Sequence, residues 1–119
     1  MSSFEVELKA HYERSEKAGL YDKKKHIYTP KFYAVELKKM ARIFYDMAKI
    51  LYREYEIGKR PLRDVYVYVC DRVNELNNME YRFIENFGKE CGDRAIFVDM
   101  LKEFYKLASL VSQEYNDKG

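Results

Sequence analysis

Five cations in the segment 31–53, namely Lys31, Lys38, Arg42, Lys49 and Arg53, follow one another at steps of seven, four, seven and four. Those intervals return to one side of an α-helix, and at 100° per residue all five fall within about 60° of arc. At about 1.5 Å rise per residue they mark a line on the order of 33 Å long. Such a line makes and breaks no bonds. Its chemistry is the neutralisation of regularly spaced anions, as on a polyphosphate backbone. A plain amphipathic helix also exposes lysine and arginine, but it usually interleaves glutamate at i±4. Here Asp46 lies at the edge of the stripe, Glu56 near its end, and no acid sits at its centre between Lys31 and Lys49. The stripe is read as a track for a polyanion, with a solvated face and an acidic protein partner as the alternatives.

No comparably sharp catalytic pattern accompanies it. His11 and His26 are the two histidines, they belong to separate segments, and neither has an HxxxH or HxH partner. The sequence has no glycine-rich phosphate loop, nucleophile elbow or cysteine–histidine zinc spacing. Glu13 with Lys17, and Asp99 with Glu103 and Lys106, have the spacing of solvated helix faces. The expectation is a protein that is not an enzyme and needs neither metal nor cofactor nor small-molecule substrate.

The elements that must position the stripe follow from composition and period. The 119 residues, 47% hydrophobic and 16% aromatic, suffice for one domain with its own core. Residues 31–60 hold eight basic and four acidic side chains (+4), whereas residues 61–119 hold eight and eleven (−3), so the basic excess belongs to one segment. Met1-Ser2-Ser3-Phe4-Glu5 lacks the basic and apolar regions of a signal peptide, and no apolar run reaches membrane-spanning length. Cys70 and Cys91 lack CxxC spacing and are expected as reduced thiols, Cys70 buried, in a cytoplasmic protein. A disulfide between them is the alternative.

The chain is predicted to be all-α, a compact five-helix bundle forming a single domain over 1–119 with a frayed tail at 116–119. Ser2 with Glu5 forms a capping box for a first helix that carries Phe4, Leu8 and Tyr12 on one face and ends at Gly19. Residues 19–30 form a loop containing Lys23, Lys24 and Lys25. Thr29-Pro30 opens a long second helix, about 30–56, stopped by Gly58. Its core stripe is predicted as Leu37, Met40, Phe44, Met47 and Leu51, opposite the cations. Tyr45 and Tyr52 flank the stripe, available for base stacking or for packing.

Val65 to Val69 has strand propensity, but Leu62, Val65, Tyr66, Val69, Cys70, Val73 and Leu76 keep a helical period, which predicts a helix over about 61–77. Asn77 with Glu80 reads as a second capping box, opening a short helix with Phe83, Ile84 and Phe87. Asp93 is expected to cap a last helix whose face is Phe97, Met100, Leu101, Phe104, Leu107 and Val111.

Three segments of this chain resemble the small helical subunit of type III-A CRISPR–Cas effector complexes, the Csm small subunit. They are Tyr28-Thr29-Pro30-Lys31 followed by Val35-Glu36-Leu37-Lys38-Lys39-Met40, then Tyr68-Val69-Cys70-Asp71-Arg72, and finally Phe97 to Tyr115 with Phe104-Tyr105-Lys106-Leu107-Ala108. Asp71 stands where that family often has alanine or glycine, and Tyr105 where it has an acidic residue. The small subunit of type III-B complexes is the nearest alternative family.

The resemblance implies a non-catalytic subunit that contacts single-stranded target RNA, or its duplex with CRISPR RNA, without reading sequence. It also implies partners among the other effector-complex subunits and copies of itself, and no membrane. It places Lys38 and Arg72 at family-like basic positions; Lys31, Lys39, Arg42, Lys49 and Arg53 are added from the stripe. Arg72 has a second reading, pairing with a neighbouring acid to position its helix. Two other functions compete: a small helical DNA-binding regulator, and an adaptor that binds a protein partner.

Overall fold

In a computed structural model, which describes residues 2–118, the chain is built from α1 (Ser3–Lys17), a minimal hairpin of β1 (Tyr21–Asp22) and β2 (Ile27–Tyr28), α2 (Pro30–Glu56), α3 (Leu62–Phe87) and α4 (Ala95–Lys118). A short 3₁₀ turn, Gly92–Arg94, leads into α4. The all-α expectation holds, but the described residues form four α-helices rather than five.

The missing boundary is the one predicted at Asn77, where α3 continues unbroken to Phe87. The seam Leu62, Val65, Val69, Leu76 and Phe83 stays in phase through that point, and all five are buried. Ending the helix there would interrupt one continuous apolar face. Asn77 does not cap: its Oδ1 accepts the Tyr105 hydroxyl of α4 at 2.7 Å. Asp93, expected to cap α4, instead lies within the 3₁₀ turn.

Other boundaries follow their signals. The Ser2 hydroxyl accepts from the Glu5 N–H at 3.1 Å and opens α1. Thr29 accepts from the Phe32 N–H at 3.4 Å while its hydroxyl donates to the Gly19 carbonyl at 2.6 Å. One residue therefore caps α2 and fastens the end of α1 to it. Gly58, at φ +81°, turns the chain out of α2 in a conformation that other residues adopt at a cost. Arg60 then bridges Glu54 at 2.9 Å and Asp64 at 3.3 Å, tying the end of α2 to the start of α3.

The segment expected as a plain loop at 19–30 holds the hairpin, with Tyr21 opposite Tyr28. Its turn is closed by the Lys24 and Lys25 N–H groups donating to the Asp22 carboxylate. Of the tail expected to fray, 116–118 continue the helix, with Glu114 accepting the Lys118 ammonium at 2.9 Å, and Gly119 lies outside the described residues.

Helices α2, α3 and α4 form an up–down–up bundle. Tyr33 near the start of α2 meets Phe87 at the end of α3, and Phe83 of α3 meets Phe97 at the start of α4. At the other end, Tyr66 of α3 stacks on Tyr115 of α4 with ring centroids 4.2 Å apart. The core line of α2 is Ala34, Leu37, Ala41, Phe44 and Ala48. Alanines at every seventh residue, all fully buried, let α3 and α4 approach the backbone closely. On a wheel of 100° per residue this line is rotated about 60° from the predicted Leu37–Leu51 stripe. Met47 accordingly lies outside the core, 41% exposed. The predicted face of α4 is closer, with Phe97, Leu101, Phe104 and Val111 buried and Ala108 taking a core place that the prediction missed.

The molecule is not compact. Its extents are 58 × 37 × 17 Å and its radius of gyration is 18.3 Å, against roughly 13–14 Å for a compact chain of this length. The cause is α1, whose Phe4 is 70% exposed. It packs on the hairpin through Tyr12 and Tyr21, 4.8 Å apart. From there an unbroken succession of rings, Tyr28, Phe32, Tyr33, Phe87 and Phe83, leads into the core. Four of the twelve tyrosines, Tyr12, Tyr21, Tyr28 and Tyr33, serve this attachment.

Candidate nucleic-acid interface

Lys31, Lys38, Arg42, Lys49 and Arg53 all lie on α2 with their side chains exposed. One uninterrupted helix of 27 residues carries them, so their spacing is fixed by backbone hydrogen bonds rather than by loops. Because the core line is rotated, the stripe sits about 110° from it rather than opposite. That brings the stripe beside α4: Lys49 and Arg53 share a groove of about 440 Å³ with Tyr52, Glu56 and Leu107.

The five cations are not equivalent. Lys38, Lys49 and Arg53 make no ion pair among the described residues. Lys49 lies 5.3 Å from the centre of the Tyr45 ring, which steadies its ammonium over an aromatic face. Arg42 pairs with Asp46 at 3.4 Å, but both side chains are more than half exposed. An exposed pair of this kind contributes little, about 0–1 kcal/mol, and yields readily to a phosphate. Lys31 is engaged elsewhere: its ammonium donates to the Ala18 carbonyl at 2.9 Å, satisfying the C-terminal end of α1. The free part of the track is therefore Lys38, Arg42, Lys49 and Arg53.

The two remaining predicted residues are not brought to this line. Lys39 lies about 75° round the helix from the stripe and pairs with Glu36 at 3.4 Å. Arg72 stands on the opposite flank of α2, with its guanidinium 5.2 Å from the Phe44 ring and 5.4 Å from the Tyr68 ring. It also binds Glu75 at 3.0 Å. Its position continues the α3 seam between Val69 and Leu76, where an apolar residue is the ordinary occupant. This geometry is that of a cation wedged between two helices, the second of the readings open from sequence.

The tyrosines beside the stripe are packed rather than presented. Tyr52 donates to Glu114 of α4 at 2.8 Å. That hydrogen bond, with desolvation and the negative charge of Glu114, pushes its phenol up to about 12. Glu114 is held below the usual carboxylate range, first by the Lys118 ammonium and then by Tyr52. Tyr45 is half-buried against the core. Lys23, Lys24 and Lys25 are exposed at the hairpin turn, on the α1 side of the molecule.

Among the described residues no group of three or more histidine, cysteine, aspartate or glutamate side chains is placed to hold a metal ion, and no helix is long and apolar enough to cross a membrane. Cys70 and Cys91 are both free thiols and both half-buried, so Cys70 is less enclosed than predicted. His26, at φ +55°, lies within 3.4 Å of the Tyr21 hydroxyl, and His11 packs edge-on to Tyr12.

Sequence reasoning missed a third line on α2. Ile43, Met47 and Ile50 are 56%, 41% and 53% exposed and follow steps of four and three, and Ile57, 60% exposed, comes just past the end of the helix. The periodicity was present in the sequence, but assigning Met47 to the core concealed it. Comparison with known proteins adds no relative: no family model, no curated protein and no solved structure matches the chain.

Proposed function

We propose that this chain is a non-catalytic subunit that holds a nucleic-acid backbone without reading its sequence, through one flank of α2. The observation that carries the proposal is the row Lys38, Arg42, Lys49 and Arg53, exposed along a single rigid helix with three of its four charges unpaired among the described residues. A row of about four cations over some 22 Å meets successive phosphates. A straight helix flank without a bidentate base-reading set gives affinity rather than choice of sequence.

The segments that resemble the type III-A CRISPR small subunit support a more specific version. In it the chain is a repeated cytoplasmic subunit lying along target RNA paired with CRISPR RNA, among other effector subunits and copies of itself. Base pairing then supplies sequence choice and this subunit supplies backbone contact. The type III-B small subunit is the nearest alternative assignment, and a DNA-binding regulator would differ by preferring one duplex sequence.

The test is a titration of labelled single-stranded RNA of mixed sequence with the intact chain and with Lys38→Glu/Arg42→Glu/Lys49→Glu. All three side chains are exposed, so the variant keeps its core. The expected result is binding that is insensitive to RNA sequence and falls by about a hundredfold or more in the variant, as three attractive phosphate contacts become repulsive. Unchanged binding in the variant refutes the proposal. Because copies assembled side by side bind multivalently, the same comparison holds within an assembled complex.

A further inference from the structure

Given the backbone-holding role of the stripe, on which this rests, we infer that the groove at Lys49 and Arg53 seats one unpaired nucleobase. The strand that α2 holds is then single where it meets the groove. Lys49 and Arg53 are four residues apart, about 6 Å along the helix. That is comparable with the separation of the two phosphates flanking one nucleotide, so the nucleotide between them projects toward the surface between the two cations. That surface is largely apolar. The groove of about 440 Å³ is lined by Ile50, Tyr52 and, from α4, Leu107, with Glu56 as its one acid. On a wheel of 100° per residue, Ile50 and Tyr52 stand about 80° to either side of the Lys49–Arg53 midline. The groove therefore crosses the stripe rather than running beside it.

Its chemistry suits a nucleoside. The volume falls within the roughly 300–1,000 Å³ of small-ligand sites. Lys49, Arg53 and Glu56 make no ion pair among the described residues. Two cations against one carboxylate leave the groove net positive, which admits phosphate, while Glu56 is free to accept from a sugar hydroxyl or a base amino group. The Tyr52 hydroxyl is spent on Glu114 at 2.8 Å, so what Tyr52 offers is ring surface. Ile50, Leu107 and the Arg53 guanidinium meet a base by its face, which all bases share. Such a seat adds affinity without choosing a sequence.

A duplex fits less well. Its bases are paired and stacked inside, so it lays sugars and phosphates over Ile50 and Leu107 and leaves their apolar surface unmatched. Each of its strands also coils away from a straight helix flank, whereas an unpaired strand can follow Lys38 to Arg53.

The probes are a labelled oligouridylate of about ten residues, an abasic ribose-phosphate strand of the same length and charge, and an RNA duplex of that length. Each is titrated by anisotropy against the full chain. The uridylate is expected to bind about fivefold or more tighter than the abasic strand, as one seated base should give, and tighter than the duplex. Ile50→Ala/Leu107→Ala is expected to bring uridylate and abasic strand within about twofold of each other by weakening the uridylate alone. Leu107 is half-buried against the core, so Ile50→Ala alone, at a side chain 53% exposed, is the second variant and should narrow the gap in the same direction. Lys49→Ala should weaken both strands alike, which separates base from backbone.

Equal binding of uridylate and abasic strand overturns the base seat and leaves the backbone reading standing. So does a preference for the uridylate that both alanine variants leave intact, or a duplex bound as tightly as the single strand. An oligoglutamate of matching charge that binds as tightly as the uridylate overturns it in favour of an acidic protein segment. Binding by none of the strands overturns the seat and the backbone reading together.

Discussion

Arg72 shows how little a residue's type says about its work. The sequence offers it first as a phosphate ligand at a family-like basic position and second as a helix-positioning cation, and its surroundings are those of the second. Wedged between Phe44 and Tyr68 and paired with Glu75, it has packing to lose as well as charge. Arg72→Ala is therefore expected to lower stability by about 1–3 kcal/mol, measured by urea unfolding, with RNA affinity within about twofold of the parent. Lys49→Glu is expected to do the reverse, lowering affinity with little change in the unfolding midpoint.

Tyr52 and Tyr105 give a pH signature. Both phenols are pushed up to about 12, Tyr52 by its hydrogen bond to Glu114 and Tyr105 by burial. A phenol whose folded pKa exceeds its unfolded value binds its proton more tightly when folded. Its contribution is full below about pH 10, the ordinary tyrosine value, and is lost as pH rises toward 12. Stability measured across that window should fall, and Tyr52→Phe should flatten the Tyr52 share of the fall. This pairing could not be read from sequence, because Glu114 lies 62 residues from Tyr52.

At the scale of elements, the ends of α2 were legible and the length of α3 was not. Thr29-Pro30 and Gly58 act through local geometry, so they mark boundaries wherever they occur. The Asn77–Glu80 pattern is also local, but a cap contributes only about 1 kcal/mol and cannot outweigh a seam that stays buried through Leu76 and Phe83. The two arrangements predict different costs for Asn78→Pro. Proline is tolerated in the first turn of a new helix, whereas inside the continuous α3 it is expected to cost about 3 kcal/mol or more, seen as a lowered urea midpoint.

The core face of α2 was misjudged by weighing large apolar residues over small ones. Ala34, Ala41 and Ala48 are fully buried because neighbouring helices come close there. Ala41→Leu is accordingly expected to destabilise by about 1–3 kcal/mol through overpacking. The same change at Ile43, out in solvent, should be nearly neutral.

At the scale of the whole molecule, the helical class was legible in the periodicity, whereas the extended shape was not. Nothing in Phe4, Leu8 and Tyr12 distinguishes a helix docked on the core from one held at a distance by aromatic rings. Small-angle scattering should give a radius of gyration near or above the 18.3 Å of the Cα trace and well above the roughly 13–14 Å of a compact chain.

The central claim is that α2 holds a nucleic-acid backbone by charge. Its most direct test is the salt dependence of single-stranded RNA binding by the intact chain. Five phosphate contacts, as the full stripe suggests, correspond to a slope of log K against log salt near −3.5. The four cations that remain free of α1 correspond to about −2.8. A slope close to −2.8, shrinking by about 0.7 when Lys49 alone becomes alanine, is the predicted result; binding that does not change with salt, or no measurable binding at low salt, would contradict the account.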